Sequence, residues 1–202
     1  MVKPLEQLKN ADSILKTIIE TIPEPKTDST NDVFFDLMSC ILEQQIHYRS
    51  SKRIFQKMLD CACLHTLTLE NFEKFEEKAF VNVKLSANKY ETILATLDFF
   101  KTNQIDWYSF SEAEIIAKLA SIKGIGKWTI DMILLYTLQR PDVFPYDDFH
   151  LKEIMVKLYS LNPNSKLKAQ MIDISNTWGE HKSLAVRYLL AWKEYLKKIK
   201  TF

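Results

Sequence analysis

Glycine is scarce in this chain: only three occur in 202 residues, and two of them, Gly124 and Gly126, stand within three positions of each other. So little glycine leaves small room for the tight turns of hairpin-rich sheets and argues for helices joined by short polar connections. Cysteine is equally sparse. Cys40, Cys61 and Cys63 are odd in number, Cys61 and Cys63 are too close to pair comfortably, and no CxxC occurs. A disulfide scaffold, a zinc site and an iron–sulfur cluster are disfavoured, and free thiols in a reducing compartment are expected. His47, His65, His150 and His181 are scattered without an HxxxH spacing, which speaks against a metal enzyme. No apolar run approaches membrane-spanning length, and MVKPLEQLKNADSI lacks the apolar segment of a secretory signal, so a cytoplasmic protein is expected. Charge of one sign is lacking too. Lys plus Arg is 27 and Asp plus Glu is 26, a net +1, so any polyanion would have to be met by local charge and backbone groups rather than by overall basicity.

What is present is helical periodicity. Apolar residues spaced by three and four predict helices over 12–22, ended by Pro23 and Pro25, and over 33–46, where the run is apolar enough to lie in a core. A more basic helix is predicted over 48–61, with Arg49, Lys52, Arg53 and Lys57, and a short acidic one over 69–78. Further helices are expected over 86–101, with Ser86 as cap, and from Ser111, where Ser111 and Glu114 have capping-box spacing. The last are expected over 127–139, 148–160, 165–178 and 181–200. Only KAFVNVK, 78–84, has strand flavour. No repeat or flexible linker appears. The fold class read from this pattern is all-α, one unit over 1–202 in two packed lobes meeting at a cleft. One lobe covers approximately 32–140, and the other is the N-terminal helix with approximately 141–202.

The most informative segment is LASIKGIGKWTIDMILLYTLQ, 119–139. A helix ends near Ser121, Lys123-Gly124-Ile125-Gly126 turns, and a new helix begins at about Lys127. Glycine at both positions permits backbone that a side chain would forbid and lets another backbone approach closely. The second helix then presents its amides and positive dipole end through the turn, a ready anion site, with Lys123 and Lys127 beside it. A GxG between two helices is by itself only a turn. It is followed by RPDVFPYDDFHLK, a loop stiffened by Pro141 and Pro145 that ends in the pair Asp147-Asp148 at a helix start. Either Asp can cap that helix.

Together, L-x-x-I-K-G-I-G-K-W-T-I-D-M and the R-P-D-V-F-P-Y-D-D-F-H-L-K that follows resemble the helix-hairpin-helix, Gly/Pro-rich loop and Asp motif of base-excision DNA glycosylases, the 3-methyladenine DNA glycosylase II branch above all. ILEQQIHYRSSKRIF and WGEHKSLAVRYLLAW resemble two further segments of that family, so the likeness spans roughly Asp12 to Trp192. The resemblance implies a two-lobed helix-hairpin-helix glycosylase fold and hydrolysis of the N-glycosidic bond of alkylated bases, 3-methyladenine and 7-methylguanine. It implies Asp148 as the catalytic carboxylate, with Asp147 a neighbour or cap. One carboxylate then suffices, because an alkylated purine already carries positive charge and leaves readily. The lysine nucleophile of the bifunctional glycosylase/lyases would stand at position 128. Trp128 occupies it, so lyase chemistry is not expected and Trp128 becomes the wall on which a flipped base stacks.

Met132, Tyr146 and Leu190 are the other base-pocket residues by the resemblance. Leu190 stands where relatives often carry a tryptophan and Met132 where one branch has an aromatic, and Trp178, Tyr188 and Trp192 are the residues available to compensate. Lys123, Gly124, Ile125, Gly126, Lys127 and Thr129 are the implied DNA contacts, and Gln45 and His47 the side chains entering the duplex or minor groove. No side-chain metal site and no organic cofactor is expected, although hairpin carbonyls suit a structural sodium or potassium ion. The expected partner is double-stranded DNA containing damaged bases, met by a monomer away from membranes and, in a bacterium, at the nucleoid. Two rivals stand beside this: a related glycosylase for uracil, mispaired adenine or oxidised purines, and a non-catalytic helix-hairpin-helix protein that only binds DNA structure.

Overall fold

The computed structural model describes residues 3–27, 29–43, 52–81 and 85–200, apart from the side chains of 52, 53 and 200. All regular structure among them is helical: α1 Pro4–Ala11, α2 Ser13–Thr21, α3 Val33–Leu42, α4 Lys52–Cys61, α5 Phe72–Ala79, α6 Ala87–Thr102, α7 Glu112–Ala120, α8 Lys127–Met132, α9 Phe149–Leu158, α10 Leu167–Asn176 and α11 Lys182–Lys200. A single 3-10 turn, Gly179–His181, precedes α11, and α8 runs into a π-helical turn at Ile133–Thr137. KAFVNVK, the one stretch with strand flavour, forms no strand among the described residues; 82–84 lie outside them. None of the described helices is long and apolar enough to cross a membrane.

The chain divides into two compact units, Ser29–Leu138 and the combination of Met1–Asp28 with Gln139–Phe202. In the Ser29–Leu138 unit, α3 is buried on nearly every face, as a helix apolar all round must be, and α4, α6, α8 and the π turn pack on it. Its Asp36 is buried yet satisfied. Thr30 and Thr137 each donate a hydroxyl to Asp36 Oδ2 at 2.7 Å. Ser29 donates to the Thr137 carbonyl at 2.6 Å, which closes the π turn's end. Phe35, Phe55, Phe75 and Phe80 pack in sequence, tilted or edge to face, with centroids 5.1 to 5.9 Å apart, which ties α3 to α4 and α5.

The other unit packs α11 against α2 and α9. Leu15, Ile18, Leu151, Met155, Val186 and Leu189 form its centre and are almost wholly buried. Asp12 is its polar hub. Oδ1 caps α2 by accepting the Ile14 and Leu15 amides at 2.9 and 3.0 Å. Oδ2 accepts the Tyr159 hydroxyl at 2.7 Å and the Trp178 indole N–H at 2.9 Å. Burial pushes the Tyr159 phenol far above its ordinary range, reinforced by the bond to Asp12, so Tyr159 remains a donor. The unit also contains a helix the periodicity did not announce, α1, which starts with Pro4 in its first turn, where a missing N–H costs nothing.

Candidate functional site

The segment singled out in the sequence forms a helix, a tight turn and a helix. Ser111 and Glu114 close a full capping box on α7, and the bonds from Ser111 hold the Glu114 carboxyl below its usual range. After α7, the Ile122 amide donates to Leu119 O at 3.2 Å and the Ile125 amide to Ile122 O at 3.1 Å. Ile122 and Ile125 are buried, so the turn is pinned by its apolar residues while Lys123 points outward.

The two glycines differ, against the expectation that both are demanded by backbone shape. Gly124 has φ +89°, and a Cβ there would lie 2.0 Å from Thr92 Oγ1 on α6; only glycine fits. Gly126 has φ −95° and ψ 169°, extended backbone open to any residue, and nothing lies within 4 Å of the position a Cβ would take. It is the N-cap of α8 and has no side chain to cap with. The first intrahelical bond runs from Ile130 N to Gly126 O at 3.1 Å, so the amides of Lys127, Trp128 and Thr129 precede the helix's own acceptors.

The predicted residues of this unit fall into two groups. Lys123 and Lys127 are exposed, and Trp128 is half-buried at the second position of α8. Thr129 and Met132 are buried, so Thr129 has only its backbone amide to offer at the turn. Both lysines are ion-paired, Lys123 with Glu91 at 2.7 Å and Lys127 with Asp131 at 2.6 Å. The Lys123 hydrogen bond holds the Glu91 carboxyl below its ordinary value. Gln45 and His47 lie outside the described residues.

Asp148 belongs to the other unit and is the N-cap of α9, with Oδ1 accepting the Leu151 amide at 2.8 Å and the residue 8% exposed. Asp147 is exposed and sits 3.6 Å from Lys152 Nζ. Of the two carboxylates, then, Asp148 is the one withdrawn from water and fixed. The loop leading to it is stitched to the start of α11. Ser183 Oγ donates to Arg140 O at 2.5 Å and accepts the Val143 amide at 2.9 Å, the Ser183 amide donates to Pro141 O at 3.0 Å, and Lys182 pairs with Asp142 at 2.6 Å. Beyond Asp148, the buried Lys193 of α11 donates to His150 Nδ1 and to Glu153 Oε2, each at 2.5 Å, which clamps the first turn of α9.

Sequence reasoning missed both contacts with α11. The only signal was the WGEHKSLAVRYLLAW likeness, which contains Ser183 without saying what it holds and stops one residue short of Lys193. Tyr146 is half-buried beneath Lys168, whose Nζ lies 3.9 Å from the ring centroid, and Leu190 is half-buried. Trp178 and Tyr188 are buried in the core, Trp178 on Asp12 and Phe144. Trp192 is half-buried and stacks on Tyr195 with centroids 5.1 Å apart.

The sequence profile described as HhH-GPD superfamily base excision DNA repair protein matches residues 38–179. The chain is 26% identical over 163 residues to DNA-3-methyladenine glycosylase 1 of Schizosaccharomyces pombe, covering 78% of this chain and 70% of that one. It is 25% identical over 201 residues to DNA-3-methyladenine glycosylase of Bacillus subtilis, covering 92% of this chain and 65% of the relative, so it spans just under two thirds of that protein. Among solved structures it resembles a DNA-3-methyladenine glycosidase from Bacillus halodurans, with a TM-score of 0.73, 24% identity and coverage of 94% and 88%. It also resembles a Schizosaccharomyces pombe 3-methyladenine DNA glycosylase in complex with abasic DNA, with a TM-score of 0.75, 22% identity and coverage of 94% and 95%. At those identities the structural likeness speaks to the fold, which agrees with the helix-hairpin-helix reading of the sequence.

Proposed function

The chain belongs to the HhH-GPD superfamily of base excision DNA repair proteins, and from that membership we propose that it is a monofunctional DNA glycosylase, hydrolysing the N-glycosidic bond of alkylated bases such as 3-methyladenine and 7-methylguanine in double-stranded DNA. Cleaving that bond builds positive, oxocarbenium-like charge on the deoxyribose. Asp148 supplies the compensating negative charge and orients or deprotonates the water. A cationic alkylated purine needs little acid assistance, so the second carboxylate of sugar-chain hydrolases is dispensable. Trp128 gives the extruded, electron-poor base a face to stack on. With a tryptophan where a lysine nucleophile would stand, no Schiff base forms and the strand stays intact. The turn at Lys123–Gly126 grips the sugar-phosphate backbone through amides at the start of α8 and through lysine charge. The two compact units serve as the two lobes of one glycosylase.

The observation that carries this reading is Asp148 itself: a carboxylate 8% exposed and locked by its own helix cap, at the end of the proline loop and inside the stretch that matches the family. Base release from methylated duplex by wild type and Asp148→Asn tests it. Asparagine caps a helix as well as aspartate does, so the variant keeps the fold and removes the charge. Release is expected to fall by about 10²–10³ or more with the melting temperature nearly unchanged. Undiminished release by the variant removes Asp148 from the mechanism, and no release of methylated purines by wild type removes the alkylated-base assignment. Strand cleavage without added base treatment contradicts the monofunctional assignment.

A further inference from the structure

The hairpin's two lysines are both held by carboxylates, but on unequal terms. Lys123 Nζ donates to Glu91 Oε2 at 2.7 Å, with the two side chains 76% and 54% exposed. Lys127 Nζ reaches both oxygens of Asp131, at 2.8 and 2.6 Å, and the Asp131 side chain is only 7% exposed. The first pair is wet at both ends and shifts an equilibrium by no more than about fivefold. The second neutralises a carboxylate withdrawn from water, and pulling its cation away is far more costly. The placement of the first pair follows from the turn. Gly124 seats its bare Cα against Thr92 of α6, so the neighbouring residues Lys123 and Glu91 are brought side by side.

We infer that Glu91 competes with a DNA phosphate for Lys123, so that this ion pair is an exchangeable brake on strand binding while Lys127 stays committed to Asp131. The inference rests on the proposed gripping of the strand by the hairpin. In the unbound protein Glu91 serves as the built-in counterion of Lys123. A phosphate must displace it, and the freed carboxylate then faces the polyanion. Affinity for undamaged duplex is held down, and so is the number of ions released on binding.

The test is fluorescence anisotropy with a short, labelled, undamaged duplex titrated from about 50 to 200 mM salt. Glu91→Gln is expected to bind up to about fivefold tighter at the low-salt end and to steepen the log–log salt slope by about one. In a Lys123→Met background the gain is expected to shrink to the small relief of a bare carboxylate, and the salt slope to stay as it was. Lys127→Met is expected to lower the melting temperature and leave the salt slope as it was. A Glu91→Gln protein that binds as wild type does overturns the inference. So does a gain that persists undiminished in the Lys123→Met background, which would make Glu91 a plain repulsive charge. If wild type binds no duplex at the lowest salt, the hairpin grip fails and this inference with it. Base release measured on the same preparation tells that failure apart from a failure of the Glu91 brake alone.

Discussion

Replacing Gly124 by alanine tests the hairpin's geometry most directly, because two separate costs can be worked out. The first is conformational: at φ +89° a residue with a Cβ is strained by about 1–2 kcal/mol. The second is steric: the new Cβ would lie 2.0 Å from Thr92 Oγ1, 2.9 Å from its Cβ and 3.0 Å from its Cγ2. Thr92 cannot simply swing aside. Its side chain is β-branched and stiff, and its hydroxyl donates to the Asn88 carbonyl at 2.9 Å. Forcing a methyl into such a contact costs about 1–3 kcal/mol. The sum is about 2–5 kcal/mol, and at about 2–4 °C per kcal/mol for a chain of this size thermal melting should show a drop of roughly 4–20 °C. Adding Thr92→Ala removes two of the three close atoms, so it should recover part of the steric cost and none of the conformational one. Gly126→Ala is the control. Its backbone is extended and nothing lies within 4 Å of the new methyl, so its stability should hold within about 0.5 kcal/mol or rise slightly, while the methyl at the start of α8 weakens duplex binding. Equal stability of wild type and Gly124→Ala would refute the reasoning, as would a Gly126→Ala protein that melts as early as Gly124→Ala.

Trp128→Ala should weaken capture of the flipped base by about 1–3 kcal/mol with Trp128→Phe largely retaining it, read as binding to a duplex carrying an excision-resistant alkylated base against an undamaged one. Asp12→Ala should lower stability by about 2–5 kcal/mol in urea unfolding, because the buried Trp178 indole and the Tyr159 hydroxyl lose their acceptor and α2 loses its cap. The Glu153 carboxyl is held below its ordinary value of 4.5 by the hydrogen bond from Lys193. Its contribution is therefore complete above about pH 4.5 and fades as pH falls through the lower, folded value. Melting curves of wild type and Glu153→Gln should differ at neutral pH and converge in acid, and a constant gap at all pH values would exclude the ion pair as the cause.

What was legible in the sequence was local. The Ser111 and Glu114 capping box, the cap at Ser86 and the turn at Gly124 all depend on residues within a few positions of one another, and each stands where the spacing put it. Helix α1 was missed because eight residues with one buried side chain, Leu8, give too weak a period to read. The π turn was missed because Ile133–Thr137 lies in a run that is apolar on every side, and such a run carries no period at all. At the candidate site the hairpin and Asp148 could be named from their motif. The parts that hold Asp148 could not: Ser183 meets Arg140 and Val143 across 43 and 40 residues, and Lys193 meets His150 across 43. Pairings at that separation are set by which helices pack together, and nothing in the local pattern encodes them. The contrast between Gly124 and Gly126 was hidden for the same reason, since it is Thr92, 32 residues upstream of Gly124, that makes one glycine indispensable, while nothing crowds the other's methyl position.

A net charge of +1 bears on how such a protein could act on DNA. Each phosphate neutralised by a protein cation releases counterions and steepens the salt dependence by about 0.9, and a chain with many free cations on one face would hold any duplex tightly, damaged or not. Here the two lysines at the turn already carry their own carboxylates, so on the proposed reading the turn offers a phosphate little free cationic charge and the amides at the start of α8 supply much of its grip. Amides hold a phosphate without reading sequence. Discrimination is then left to the energy of extrusion and stacking, which is least costly for a base whose pairing is already weakened by damage. A weak, shallowly salt-dependent hold on undamaged duplex is what a glycosylase built this way requires, since a strong one would leave it parked on the intact sites that vastly outnumber the damaged ones.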